Sequence, residues 1–221
     1  MPVTDLTTWD ILRNLALSTR WTILLSLISF VGGGVLALLL LPLRTSSIKA
    51  LNVISRAYVD LFQGTPLLIQ LFVLFFGLPL IGIDTSAWLA AILGLSLWTA
   101  AFLTEIWKGC VQSVHKGQWE ASASLGMSYL EQMRYIILPQ AFVIAIPPTV
   151  GFMVQIIKAT AITSIIGFIE VSRAGGMMAN VTFQPFLVYG IVATIYFILC
   201  WPLSQGSRNL ERKLNVAHRN Q

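Results

Sequence analysis

The sequence predicts an all-α polytopic membrane protein with five transmembrane helices, and three observations lead there. Of its 221 residues, 56% are hydrophobic and only 10% are charged, against about 25% charged in an ordinary soluble domain; mean hydropathy is +0.78. Five stretches carry no charge over a length able to cross a hydrocarbon core of about 30 Å, which takes roughly 17–25 helical residues. They are Trp21 to Leu41, Leu61 to Ile83, Thr85 to Thr104, Tyr135 to Ile157 and Ala174 to Ser207. Backbone groups in lipid must be satisfied within each segment, which runs of this length achieve as helices, whereas a barrel would show short alternating strands.

Orientation follows from the basic residues, which collect in cytoplasmic loops near span ends. Arg44, Lys49 and Arg56 follow span one, Lys108, Lys116 and Arg134 follow span three, and Arg208, Arg212, Lys213 and Arg219 follow span five. Arg13, Arg20 and Arg173 fall on the other side, and Lys158 ends span four. The N-terminus is therefore expected outside and the C-terminus in the cytoplasm. The net charge of +5 is accounted for by topology and the lipid bilayer as partner, which leaves no case for nucleic acid.

The elements follow in order. Residues 1–20 form an outer-face segment that does not read as a cleavable signal, having two acids and no early apolar core. Thr7 and Asp10 have capping-box spacing, so a short helix starts here with Trp9, Leu12 and Ala16 toward the outer interface. Gly32-Gly33-Gly34 in span one lets another helix approach closely, and Pro42 is expected to end that helix. Span two is interrupted by Gln63-Gly64-Thr65-Pro66: Gly64 frees the backbone and Pro66 removes a hydrogen bond, predicting a kink that faces the bundle or a path rather than lipid. Glu105, near the inner end of span three, either meets substrate or an inner gate, or pairs at i,i+3 with Lys108. Cys110 and Cys200 lack partners and metal-ligand spacing and read as packing residues. His115 and His218 stand alone, so no metal site is expected.

Between spans three and four, Gly117 to Leu125 is helix-permissive, and Gly126 is placed to close it as a left-handed C-terminal residue. Ser128 and Glu131 have the spacing to start a second helix, which runs to Leu138-Pro139. Such a loop is either a surface connector or a docking helix. Small residues at Ala121, Ser122, Ala123 and Ser124 permit close packing into a groove, and Trp119 and Leu125 would stand exposed without a partner. Span four carries Pro147-Pro148, then Gln155 and Lys158; the apolar run Ala159 to Ile169 is too short to cross and reads as re-entrant or interfacial. Gly175-Gly176 and Pro185 punctuate the way into span five. Gln70, Gln155, Thr160 and Thr163 are neutral hydrogen-bonding groups that either line a substrate path or pack helices; Lys158 is expected to snorkel to the outer interface.

Glu120-Ala121-Ser122, Gly126, Ile136 and Leu138-Pro139 have the spacing of the cytoplasmic signature of ABC importer permeases: EAA, three residues, G, nine residues, I, one residue, LP. Ser122 stands where Ala is usual. Gly117-Gln118-Trp119-Glu120-Ala121, Leu138-Pro139-Gln140-Ala141 and Gly64-Thr65-Pro66-Leu67-Leu68 resemble the polar amino acid branch, and the resemblance spans nearly all the chain from span one to Leu210. It implies a single permease domain, 1–221, in the inner membrane of a bacterium, with coupling loop 117–139 and cytoplasmic tail 208–221. Trp119, Glu120, Ala121, Ser122, Leu125, Gly126, Leu138 and Pro139 would dock a cytoplasmic ATPase homodimer. A second permease chain, identical or paralogous, and an extracytoplasmic solute-binding protein complete the implied assembly, with an amino acid as substrate. No phosphate-binding loop occurs in the sequence, so ATP and Mg would sit on the ATPase and this chain would hold no cofactor. The branch often has Arg where Gln63 stands and Lys-Asp-Thr-Ser where Lys158-Ala159-Thr160-Ala161 stands; the missing carboxylate points away from basic amino acids. The competing class is an ion-coupled secondary transporter or channel, which would want internal repeats and buried coupling charges; only Glu105 offers one.

Overall fold

The computed structural model describes residues 7–46 and 48–219, with side chains through Leu214. All regular structure among the described residues is helical. The elements are α1 (Thr8–Thr45), α2 (Lys49–Gly64), α3 (Leu67–Leu80), α4 (Ala87–Ser113), α5 (Lys116–Ser124), α6 (Tyr129–Ile166), α7 (Val171–Thr182) and α8 (Pro185–Arg219). Helices α1, α4, α6 and α8 are each long and apolar enough to cross a membrane, and α2 with α3, bent by 101° at their break, pass the same test as a pair, which gives four spans or five if the pair counts as one.

Helix α1 starts at the expected capping box: the Asp10 carboxylate accepts from the Thr7 amide at 3.0 Å, and the Asp10 amide donates to the Thr7 hydroxyl at 3.3 Å. It then runs unbroken for 38 residues, about 57 Å. The separate short helix expected before span one is therefore absent, because nothing between Asp10 and Arg44 breaks a helix; Trp9, Leu12 and Ala16 are exposed as expected. Pro42 does not end α1 either. One more turn forms, with the Thr45 hydroxyl bonded back to the Leu41 carbonyl at 2.9 Å.

The buried face of α1, Ile11, Leu15, Ser18, Thr22, Leu25, Ser29, Gly33 and Ala37, recurs every three or four residues and so forms one stripe. It lies along α4. A Cβ on Gly33 would fall 2.5 Å from the Thr99 side chain, and one on Gly32 2.9 Å from the Ser96 hydroxyl, so only glycine permits this approach. The opposite face, with Val31, Val35, Leu38 and Leu39, is exposed, as lipid-facing surface requires. From α4 the bundle continues through α6 to α8, while α7 closes one end against α1 and α8.

Three boundaries differ from the sequence reading. The apolar run after span four is no separate re-entrant element: α6 tightens into a 3-10 turn over Thr160–Ile166 and stops at Gly167, φ 91°. Ala174 to Ser207 divides into α7 and α8, because Phe183 takes a left-handed φ of 55° just ahead of Pro185. Span three extends to Ser113, which carries Glu105 and Lys108 within its last turns. Cys110 and Cys200 are free and buried.

Candidate functional site

At the basic end of the bundle, α5 and the first turns of α6 form the helix, sharp turn and helix anticipated between spans three and four. The His115 ring accepts from the Gly117 amide at 3.1 Å and starts α5. At its end, the Gly126 amide bonds the Ala123 carbonyl (2.9 Å) and the Met127 amide the Ser122 carbonyl (3.3 Å). This is the paired pattern of a left-handed stop, and Gly126 has φ +76°. The Glu131 carboxylate then takes the Ser128 amide at 2.8 Å and its hydroxyl at 2.7 Å, restarting the chain as α6. These bonds to the ionised form hold the Glu131 carboxyl below the ordinary range.

Around this turn, Glu120, Ala121, Ala123, Ser124 and Gly126 are exposed, Leu125 is 81% and Leu130 77% exposed. Apolar side chains so placed on a polar loop mark a surface meant to be covered. Trp119 behaves otherwise than expected. It is half-buried against the chain's own cluster of Val111, Val114, Met133 and Ile137 and stacks on Tyr129, with ring centroids 6.3 Å apart. Ser122 is buried, and its hydroxyl bonds back to the Gln118 carbonyl at 2.8 Å, so its polar atom is satisfied within α5 itself. Leu138 and Pro139 are exposed and lie beyond a π-helical stretch, Gln132–Ile137, on the span side of the loop.

Glu105 is already occupied. Its carboxylate accepts from the Arg44 guanidinium on one oxygen and from Lys108 Nζ at 3.2 Å on the other. Arg44 also donates to Asn52 Oδ1 at 3.0 Å, while Asn52 Nδ2 donates to the Arg44 carbonyl at 2.8 Å. The pairing with Lys108 is the one the spacing suggested; Arg44 is a partner 61 residues away that spacing cannot reveal. One acid against two cations leaves a net positive, part-buried knot joining α1, α2 and α4.

Of the neutral candidates, three serve the helices themselves. Gln70 Nε2 shares its two hydrogens among the Phe62 carbonyl (2.9 Å), the Thr65 carbonyl (3.0 Å) and the Thr65 hydroxyl (2.9 Å), clasping the break at Gly64, Thr65 and Pro66. The Thr160 and Thr163 hydroxyls bond the Ile157 and Thr160 carbonyls at 2.7 and 2.6 Å and are fully buried. Gln155 is different: it is exposed, one turn from exposed Lys158 on the same face of α6, while its neighbours Val154, Ile156 and Ile157 are buried.

At the opposite end, Glu170 is fully buried, which the sequence reading missed. Its carboxylate accepts from the Ser172 and Arg173 amides and the Tyr196 hydroxyl, each at 2.8 Å, and so caps α7. Burial pushes its pKa up against those bonds. The available signal was a lone acid between Phe168-Ile169 and Val171, a setting that buries a carboxylate and demands donors.

The family described as binding-protein-dependent transport system inner membrane component matches residues 33–215. A probable amino-acid ABC transporter permease of Bacillus subtilis, YckA, is 37% identical over 193 residues, covering 87% of this chain and 85% of its own. The probable glutamine ABC transporter permease GlnM of the same organism is 34% identical over 197 residues, 89% of this chain and 91% of its own. The crystal structure of an amino acid ABC transporter with histidines superposes with a TM-score of 0.89 at 31% identity, covering 96% of this chain and all of the matched one.

Proposed function

Because this chain belongs to the family of binding-protein-dependent transport system inner membrane components, and within it to the polar amino acid ABC importer permeases, we propose that it carries polar amino acids across the inner membrane of a bacterium at the expense of ATP hydrolysed on another subunit. The supporting observation is the 117–139 loop: a glycine-stopped helix, a capped restart, and Leu125 and Leu130 left exposed on it. A cleft on a cytoplasmic ATPase homodimer would cover that surface. ATP closing the ATPase pair would move α5 as a lever, and nucleotide and loaded binding protein would bias the same two-state bundle.

The basic end, with Arg44, Lys108 and Lys116, faces the cytoplasm in this reading, and the Trp9 end of α1 faces the solute-binding protein. A second permease chain, identical or paralogous, completes the pathway. The cargo is a neutral polar amino acid rather than a basic one, since Ala159 stands where a carboxylate would serve a cationic side chain. Gln155 is the path residue that the geometry favours. An ion-coupled carrier fits less well, because Glu105 is already neutralised by Arg44 and Lys108, and the buried Glu170 carboxylate is engaged by the Ser172 and Arg173 amides and the Tyr196 hydroxyl at the start of α7.

The test is uptake by the complex, reconstituted with its ATPase and binding protein in liposomes and screened over radiolabelled amino acids. ATP-dependent accumulation of neutral polar amino acids is expected. Accumulation driven by an ion gradient without ATP would sink the reading.

A further inference from the structure

The last two carbonyls of α1 have no helical partners of their own, since a helix leaves its final four acceptors open. Both are capped by side chains from elsewhere in the chain. Asn52 of α2 takes the Arg44 carbonyl at 2.8 Å. The Thr45 carbonyl takes the Tyr129 hydroxyl at 3.0 Å, across a separation of 84 residues. Tyr129 is the first residue of α6 and sits three positions past Gly126, so this bond fastens the end of span one to the turn of the loop.

The same residue has a second attachment. Its ring stacks on Trp119 at an interplanar angle of 23°, and Trp119 packs on the cluster of Val111, Val114, Met133 and Ile137, where the end of α4 meets α6. The loop thus meets the end of span three through apolar contact, and among the described residues the Tyr129 hydroxyl is its hydrogen bond to span one. Beyond Thr45, the next residue is Arg44, whose guanidinium bridges Glu105 on α4 and Asn52 on α2. Spans one, two and three meet in that knot, and the Tyr129 bond lands on Thr45, the residue adjoining it.

We propose that Tyr129 is a positioning residue for energy coupling: its hydroxyl carries movement of the loop into the end of span one and, through Arg44, into the knot with Glu105 and Asn52. This rests on the reading that the loop docks an ATPase. Without the hydroxyl, displacement of α5 reaches span three through Trp119 and span four through α6, while span one is no longer drawn with them.

Tyr129→Phe keeps the ring and its stacking and deletes the one bond. In liposomes holding the whole complex, ATP hydrolysis stimulated by loaded binding protein is expected to stay within about twofold of wild type. Amino acid accumulated per ATP hydrolysed should fall about fivefold, the ratio that corresponds to one ordinary hydrogen bond. A merely structural role would lower hydrolysis and uptake together and leave that ratio unmoved. Glu105→Gln loosens the other side of the same linkage, so combining it with Tyr129→Phe should cost less than the product of the two single effects.

An unchanged ratio in Tyr129→Phe overturns the proposal, as do fully multiplicative effects in the double variant. Loss of the ATPase from the purified Tyr129→Phe complex overturns it as well, since the hydroxyl would then serve docking and not transmission. A wild-type complex with no ATP-driven uptake removes the docking reading first, and is distinguished from failure of the Tyr129 proposal because no variant is needed to see it.

Discussion

At the scale of single residues, Gly126 governs the shape of the 117–139 loop. A Cβ there would meet nothing within 4 Å, yet φ is +76°, so the objection to a side chain is backbone strain alone. For a β-branched residue that strain is of the order of 1–3 kcal/mol. Gly126→Val is expected to fold and reach the membrane but to re-aim the segment after α5, so that hydrolysis continues while uptake falls by about tenfold or more, the equivalent of roughly 1.4 kcal/mol at the coupled step. Liposome uptake and hydrolysis measured side by side check it; normal values for both would refute the lever. Gly33 fails for the opposite reason. There φ is ordinary and the space is taken, with Thr99 2.5 Å from the added carbon, so Gly33→Val should part α1 from α4 and lower stability by about 1–3 kcal/mol, seen as a fall in the unfolding midpoint of the purified complex. Both glycines could be read from sequence, because a stop before Ser128 and Glu131 and a triple glycine in an apolar span have local meaning. Glu105 could be read only halfway: Lys108 is on its own helix, whereas Arg44 arrives through the fold.

At the scale of elements, the informative case is the break between α2 and α3. Gly64-Thr65-Pro66 announced an interruption, since proline cannot donate and clashes with the turn before it. The size of the bend, 101°, had no counterpart in the sequence, because it depends on what holds the two halves. Gln70 holds them, with one amide group spread over Phe62 and Thr65. A glutamine in an apolar span reads equally well as a path group or a packing group, and the difference lies in partners that sit five and eight residues back across a turn. Gln70→Leu leaves two carbonyls short of a donor, at about 1–3 kcal/mol for each group left buried and unpaired. The expected result is a lowered midpoint, by about 2–4 °C for each kcal/mol lost in a chain of this length. A Gln70→Leu complex as stable as wild type would mean that the bend is held by packing alone.

At the scale of the whole molecule, four of the five proposed path groups differ from Gln155 in one respect: the fold uses them. Glu105 is tied to Arg44 and Lys108, Gln70 to the α2–α3 break, and Thr160 and Thr163 to their own helix. Gln155 is left exposed on a span whose flanking positions are buried. An uncharged amide on that face can hydrogen-bond a neutral polar side chain but gives a cationic one no counter-charge, which agrees with Ala159 in place of a carboxylate. Gln155→Glu supplies a negative charge, shared in part with Lys158 one turn away on the same face. At about 4 Å and an effective dielectric near 20, opposite charges attract by roughly 4 kcal/mol before desolvation is subtracted, so a tenfold change, needing only about 1.4 kcal/mol, is a modest demand. With the same binding protein delivering cargo to both complexes, selection outside the membrane cancels in the comparison, and a shift in the ratio of arginine to glutamine uptake belongs to this chain. The ratio is expected to rise about tenfold in Gln155→Glu. If it stays at the wild-type value while uptake of glutamine is also unchanged, Gln155 faces lipid or a second copy of the chain and the cargo passes elsewhere.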